Sequence, residues 1–402
     1  MPKVSVVVPV YNAGPFLGQC LDSLVNQTFQ DIEILCVNDG STDRSLEILE
    51  EYAGRDRRIR IFSKKNEGKG AASARNLGLK HAVGTYVQFV DSDDFFEPDM
   101  IHALAEKAEQ VQGDVIVCRA DYYDEELHEI TGEYRSIDFR HKPEKEPFSY
   151  KDCPEYIFQV GGMIAWNKLY RREFLEKHAL KFEPIPVSDD QYVAVLSLVL
   201  AERIACVDRV LLHYRFHSGQ SQCDTRTRHP EAAYAAFYSI VARMREEGIY
   251  QTVKRSYLNL AIHLLREYFD MMPEFQTVRF LYDVYTKEIF SFLEAEDLPD
   301  GYFYDKRIGD WYTLIRSCSL EDILFQTARG YGAGMTTAIL RFQAPFEGIK
   351  RGSRIVLVGK GLIGRYWFSQ YLLSDSCEVV CWVADESEIP PDLAYDQMIK
   401  AG

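Results

Sequence analysis

The sequence predicts an α/β fold: a mostly parallel sheet with helices on both faces, then a helical region, then a short Rossmann-like βαβ unit. Three observations carry this. Apolar runs rich in β-branched residues alternate with stretches of helical spacing over about the first 120 residues. Several of those runs end in a polar turn, as strands do when their carboxyl ends open into a crevice. Near the other end, Gly359-Lys360-Gly361-Leu362-Ile363-Gly364 follows an apolar run and matches G-x-G-x-x-G.

Val4–Val10 is interrupted only by Ser5 and Pro9, the pattern of a strand buried on both faces. The turn Tyr11-Asn12-Ala13-Gly14 follows, and Pro15 suits the first turn of a helix. Phe16, Leu17, Cys20, Leu21, Leu24 and Val25 give that helix one apolar face. A second strand over 32–37 runs into Asn38-Asp39-Gly40-Ser41-Thr42-Asp43, turn formers and capping side chains before a helix over 46–52. Residues 59–62 read as a third strand, and the small residues 70–74 lead into a helix through Arg75, Leu77 and Leu79. A strand from Tyr86 to Val90, a helix through Met100, Leu104 and Ala108, and a strand over 115–118 complete the series. Right-handed crossovers would bring the turns after Val10, Val37 and Val90 to one edge, so that three polar turns face one cleft.

The strand from Tyr86 ends abruptly in Asp91-Ser92-Asp93-Asp94. Carboxylates crowded at a strand end repel one another unless a cation sits among them, and hard oxygen ligands suit Mg²⁺ or Mn²⁺. A solvated acidic turn capping the helix after Pro98 is the other reading, and a D-x-D triplet alone does not separate the two.

Val6-Val7-Val8-Pro9-Val10-Tyr11-Asn12, Asn38-Asp39-Gly40-Ser41-Thr42-Asp43, Ala74-Arg75-Asn76-Leu77-Gly78 and Asp91-Ser92-Asp93-Asp94 resemble, in that order, the signature of the family 2 glycosyltransferases. One such motif is weak, but four in order across about 90 residues are specific. The resemblance runs through about residue 120 and extends to about residue 222. It implies a GT-A fold and transfer from a nucleotide-activated sugar with inversion at the anomeric carbon.

The same resemblance implies roles. Pro9 and Tyr11 would line the base pocket, an aromatic ring offering a stacking face. Asp39 would accept a hydrogen bond from the ring N–H of uracil, with a turn or cap as the alternative, an alternative stronger for Asp43. Arg75 carries the planar fork that suits a phosphate or a carboxylate of the acidic cluster, or else is a solvated helix residue. The segment from Asn66 to Arg75 is about two residues longer than the family pattern, which leaves Asn66 without a role. Asp91 would contact ribose or sugar, Asp93 would ligate Mn²⁺ or Mg²⁺, and Asp94 would complete the set. Val187-Ser188-Asp189-Asp190-Gln191-Tyr192 resembles the family's acidic pair, whose second member is the base. That role carries to Asp190, with Asp189 in place of the usual Glu; favouring a helix N-terminus is the alternative. The run from Leu211 to Ser221 resembles the segment that closes the site, which would bring Arg215, His217 and Ser221 to the diphosphate. Trp166, in Trp166-Asn167-Lys168-Leu169-Tyr170-Arg171, is either an acceptor wall or a core tryptophan.

The domains expected are a nucleotide-sugar domain over 1–225, a helical accessory domain over 226–348 and the partial βαβ unit over 349–402. Residues 121–160 mix charges, tyrosines and prolines, which predicts an acceptor-side insertion rather than sheet core. In the helical region Ala233, Phe237, Ile240, Val241 and Met244 share one face, and Leu258, Ile262, Leu265 and Phe269 another. Its aromatic residues, among them Tyr282, Tyr285, Trp311 and Tyr312, read as core or as a homo-oligomer contact. Further on, strands over 354–358 and 378–383 flank Gly359, Gly361 and Gly364, and Asp385 stands about 20 residues beyond, as in sites for NAD or another nucleotide. Close packing of helix on strand is the alternative for those glycines, and two strands are too few for a full doubly wound domain, so the unit is expected to be truncated or a fragment.

With 402 residues and 47% hydrophobic content, the chain can bury two or three cores. Its net charge of -15 argues against a nucleic-acid surface. Nine cysteines without a C-x-x-C pair suggest reduced thiols and a cytoplasmic protein. The chain enters a strand at once, so no signal peptide is expected, and the apolar run over 193–201 is too short to span a bilayer, leaving only peripheral membrane association. The expectation is a metal-dependent inverting transferase of hexosyl or N-acetylhexosaminyl groups. It would move sugar from a UDP-sugar to a saccharide, lipid-linked or protein-linked acceptor in bacterial surface-polysaccharide or glycoconjugate synthesis. A catalytically silent nucleotide-binding scaffold, and a bifunctional protein with a C-terminal nucleotide unit, are the alternatives.

Overall fold

The computed structural model describes residues 1–68, 70–134, 137–216, 226–272, 275–320, 322–323, 353–358, 377–383 and 397–400. The chain divides into two units, Met1–Ala261 and Ile262–Gly402. All the acidic motifs fall in the first.

That unit begins β1 (Val4–Val10), α1 (Gly14–Val25), β2 (Ile32–Asp39), α2 (Ser45–Arg55), β3 (Ile59–Lys64), α3 (Ala72–His81) and β4 (Tyr86–Phe89). Every residue of β1, β2 and β4 is buried, as their mostly apolar composition favours. β1 lies between β2 and β4 and pairs in parallel with both, while β3 is parallel to β2. The chain steps outward from β1 to β3 and then returns past β1 to β4. Right-handed crossovers therefore put α1 and α2 on one face and α3 on the other, and β1 and β4 flank the point where strand order reverses. Ligands of open α/β sheets bind at such a point. Close packing of α3 on β1 depends on Gly78, where a Cβ would stand 2.3 Å from Cγ1 of Val7.

The chain continues with β5 (Phe95–Phe96), α4 (Met100–Val111), β6 (Val115–Asp124), β7 (Glu129–Glu133), α5 (Ile157–Gly161), β8 (Lys168–Arg171), α6 (Arg172–Lys177), α7 (Gln191–Leu200) and β9 (Ile204–Phe216). The sheet order is β3-β2-β1-β4-β8-β6-β9-β5, with β7 attached to β6. This half is mixed rather than parallel: β8 runs antiparallel to both β4 and β6, and β5 runs antiparallel to β9. The expected insertion over 121–160 also needs correcting, because β6 continues to Asp124 and pairs there with β7. The outer part of β6 is only half-buried and β7 is exposed throughout, so their composition reads as loop.

β6 and β9 pair in parallel through a double irregularity. Cys118 faces Val207, Arg119 faces Val210 and Ala120 faces Leu212, so β9 carries extra residues there. Beyond it, Asp121, Tyr122 and Tyr123 face His213, Tyr214 and Arg215. Alternation puts the two middle residues, Tyr122 and Tyr214, on one face and the other four on the opposite face. A further helix, α8 (Ala235–Glu246), buries Phe237, Ile240, Val241 and Met244 as its spacing predicts.

α9 (Tyr250–Met271) crosses the division between the units. In the second unit, α10 (Phe275–Val284) continues through a π turn at Tyr285–Ile289, and α11 (Lys306–Ser317) follows. Leu265, Phe269, Tyr285, Trp311 and Tyr312 are buried, so these aromatic residues are core. β10 (Ser353–Val358) pairs in parallel with β11 (Cys377–Val383), the two strands expected, and β12 (Gln397–Lys400) pairs in parallel with β10 on its other side. Gly359, Gly361, Gly364 and Asp385 lie outside the described residues, as do His217 and Ser221. Among the described residues, no helix is long and apolar enough to cross a membrane.

Candidate functional site

The turns after β1 and β2 are stitched together. Asn12, in the left-handed region at φ 49, donates its N–H to Ser41 Oγ at 3.1 Å and accepts from Thr42 N at 2.8 Å. Gly14 N donates to Asp43 Oδ2 at 2.9 Å and Ser45 N to its Oδ1 at 3.0 Å, so Asp43 is a structural clip. Pro9 is buried within β1, whereas Tyr11 stands exposed at the turn. Asp39 closes β2 and is buried; its Oδ1 accepts from Lys64 Nζ at 2.6 Å and its Oδ2 from Asn66 Nδ2 at 3.3 Å. Asp39 is therefore a strand-end carboxylate rather than a turn or cap, and Asn66 is its neighbour despite the longer loop.

Arg75 joins two distant acidic segments. From α3 its Nη2 donates to Asp91 Oδ1 at 2.6 Å and its Nη1 to Asp189 Oδ2 at 2.8 Å, and the guanidinium lies over the Phe182 ring. Burial opposes the charge on Arg75, but Asp189, Asp91 and Asp190 outweigh it and hold the proton firmly. One guanidinium cannot neutralise all the acids around it. Burial, resisted by Arg75 and reinforced by Asp190, pushes Asp189 up to about 7. Burial, resisted by Arg75 and reinforced by Asp93, also raises Asp91, and burial with Asp93 and Asp91 raises Asp94 well above the carboxylate range. Asp94 Oδ2 is buried without a hydrogen-bond partner.

Asp190 occupies the cap position of α7 but makes no capping bond with its side chain; its Oδ2 accepts instead from Ala165 N at 3.0 Å. Ser188, two residues earlier, has φ 62, a left-handed turn that presents Asp189 and Asp190 in succession. The segment bearing Ala165 is held by Lys168. Its Nζ donates to Gly161 O at 2.7 Å, to Asn167 Oδ1 at 2.9 Å and to Ile164 O. Burial, against the pull of Asp190, brings the Lys168 ammonium down to about 7. Gln88 Nε2 fixes the next carbonyl, that of Trp166, at 2.6 Å, and Trp166 is buried.

Arg215 grips the acidic turn from the other side. Its Nε donates to Asp93 O at 2.6 Å, its backbone N to Asp94 Oδ1 at 2.9 Å, and its Nη2 to Gln19 Oε1 at 2.6 Å, while Nη1 pairs with Glu125. The guanidinium is enclosed by Phe16, Phe95 and Tyr123. Its donors are thus engaged within the protein in this arrangement. Beside it His213 bonds Asp121 Oδ1 through Nδ1 at 2.7 Å and Glu97 Oε1 through Nε2 at 3.1 Å, and stacks on Phe95.

The structure therefore brings together Arg75, Asp91, Asp93, Asp94, Asp189, Asp190 and Arg215, with Asp39 at the adjacent strand end. Among the described residues, no three His, Cys, Asp or Glu side chains are placed to hold a metal by themselves. Mg²⁺ commonly takes one or two carboxylates and completes its shell with water and substrate phosphate, so a cluster of three such side chains is not a requirement for binding it. Sequence reasoning missed Lys168 and Gln88. A lysine and a glutamine inside short buried strands were the signal, since a charge or amide there demands dedicated partners.

Residues 5–179 match the family model described as Glycosyl transferase family 2. The chain is 40% identical over 220 residues to the uncharacterized glycosyltransferase EpsJ of Bacillus subtilis (strain 168), a match covering 54% of this chain and 61% of that protein. It is 43% identical over 222 residues to glycosyltransferase GlyG of Streptococcus pneumoniae serotype 4, covering 54% of this chain and 71% of GlyG. Less than two thirds of EpsJ is thus spanned. Among solved structures, S. aureus TarS 1-349 aligns at 17% identity with a TM-score of 0.47, covering 87% of this chain and 92% of that one.

Proposed function

The chain belongs to glycosyl transferase family 2, and from that premise we propose that it transfers a sugar from a UDP-sugar to a hydroxyl acceptor, with inversion, in bacterial surface-polysaccharide or glycoconjugate synthesis. The observation that carries the reading is the Arg75 bridge. It ties Asp91, at the end of the central strand, to Asp189, and so sets Asp190 beside the acidic turn.

In this reading Asp190 takes the proton from the acceptor hydroxyl. The Ala165 N–H occupies only its Oδ2 and orients the carboxylate. Tyr11 offers a ring face to the base, and Asp39 offers Oδ2, held only by Asn66 at 3.3 Å, to the uracil N–H. Asp91 takes the ribose or sugar. Asp93 and Asp94 would hold Mn²⁺ or Mg²⁺; the buried, unpartnered Oδ2 of Asp94 and its raised carboxyl fit a cation. When bound, that ion supplies positive charge to the departing nucleoside diphosphate. Arg215 keeps the turn in shape by holding Asp93 O and Asp94 Oδ1.

UDP release from a panel of UDP-sugars, with Mn²⁺ and candidate acceptors, tests this directly. Asp190→Asn should reduce transfer by about 10²–10⁴-fold while donor binding, read by thermal shift, is kept. Asp93→Asn should weaken donor binding in the presence of metal. Wild-type turnover in Asp190→Asn would overturn the assignment of the base.

A further inference from the structure

Four aromatic rings meet at Trp166, the residue after Ala165, and have no part in the scheme above. Tyr122 of β6 stacks on Tyr134 at 4.8 Å, and Trp166 stacks on Tyr214 of β9 at 5.7 Å. Tyr134 meets the edges of Trp166 at 5.0 Å and of Tyr214 at 5.7 Å, which joins the pairs into one cluster. Trp166 is buried at its base, whereas the three tyrosines are half-buried. From the turn before β8, Trp166 follows Ala165, whose N–H holds Asp190, and Tyr214 precedes Arg215, which holds the Asp93–Asp94 turn. The cluster thus adjoins the segment that holds the proposed base, and is one step along β9 from the residue that holds the proposed metal turn.

We propose that Tyr122, Tyr134 and Tyr214 form the acceptor subsite and that the acceptor they take is a neutral pyranose of a saccharide. This rests on the transferase reading above. A pyranose has a face of C–H bonds, slightly positive, that settles on the negative face of an aromatic ring, while its rim of hydroxyls meets phenol oxygens. A polyol phosphate lacks the flat C–H face and brings negative charge. The cluster's four side chains are uncharged, and the Asp190 carboxylate is held by the N–H of Ala165, the residue before Trp166. The Arg215 guanidinium lies across β9, against Phe16 and Gln19. An anionic acceptor would meet repulsion here, and a neutral ring would meet a platform.

The test is saturation-transfer NMR and titration on the full chain, with UDP and Mg²⁺ present to fill the donor side. The probes are methyl β-D-glucopyranoside, methyl β-D-galactopyranoside and ribitol 5-phosphate. Wild type should bind at least one pyranoside through its ring protons and ribitol 5-phosphate far more weakly. Tyr122→Ala and Tyr214→Ala should each weaken pyranoside binding about tenfold, and Tyr214→Phe should restore most of it. Circular dichroism and an unchanged thermal shift by UDP show that the variants are folded. No pyranoside binding by wild type, equal binding of ribitol 5-phosphate, or binding unaffected in both folded alanine variants overturns the proposal. Failure of UDP itself to bind, or of any UDP-sugar to be turned over, would instead overturn the transferase reading, and the pyranoside result would still stand.

Discussion

Replacing Arg75 by methionine keeps most of the side-chain volume and removes the one guanidinium between Asp91 and Asp189. Both contacts are short, and Arg75 and Asp189 are buried. Breaking a buried ion pair by deleting one partner costs about 3–5 kcal/mol, because the surviving charge is left in a poor solvent. Here two carboxylates survive, but Asp91 is partly open to water and can recover some hydration. About 4 kcal/mol is therefore the expected loss, a large fraction of the ~5–15 kcal/mol that stabilises a typical domain. Equilibrium urea denaturation reads it as a fall in midpoint at constant slope. The deficit should also depend on pH. Burial already raises Asp189 to about 7 in the presence of Arg75, and without the guanidinium both acids rise further. A carboxyl with a folded pKa above its unfolded one binds more protons when folded, so its contribution is full at low pH and falls as pH rises through the folded value. The gap between variant and wild type should therefore widen as pH increases across neutrality. A loss below about 1 kcal/mol, or a gap independent of pH, would refute the claim that Arg75 neutralises these acids.

Three other outcomes follow from the packing. His213 is opposed by burial, but Asp121 and Glu97 win and raise it. Its stabilisation is full below the unfolded value of about 6.5 and is lost as pH rises through the higher folded value; His213→Gln should abolish that dependence of Tm, and an imidazole titrating below about 6.5 by NMR would contradict it. Gly78→Ala gains about 1 kcal/mol of helix propensity but sets a methyl 2.3 Å from Val7 Cγ1; overpacking of about 1–3 kcal/mol should win, giving a net loss by urea denaturation. Lys168→Met leaves buried carbonyls at Gly161 and Ile164 without their donor; a loss of about 2–4 kcal/mol is expected, with kcat falling more than donor affinity because Ala165 loses its support.

What could be read in advance follows from how locally each element is determined. β1, β2 and β4 are mostly apolar runs, and burial on both faces leaves that mark in such strands. The acidic turn stood out because carboxylates are scarce next to core segments, and the Asp189–Asp190 pair through its resemblance to the family's acidic pair. β8 did not, since Lys168 and Arg171 disguise a strand whose lysine is satisfied by carbonyls that only the tertiary fold supplies. Nor could the bond from Arg75 to Asp189 be foreseen, because its partners are 114 positions apart. Arg215 shows the same limit: the resemblance makes it a candidate for the diphosphate side, whereas its grip on Asp93 and Gln19 depends on how β9 lies against α1 and the acidic turn.

The additional residues that β9 accommodates between Val207 and Leu212 set the phase of everything downstream. Neighbours along an extended chain look in opposite directions, so losing one residue there would exchange the audiences of Tyr214 and Arg215. A cation would then enter the ring of phenols, and a phenol would be pressed toward the carbonyl of Asp93. Loops at the rim of this fold can therefore vary in length, but a single-residue deletion inside that kink would rewrite both halves of the candidate site at once.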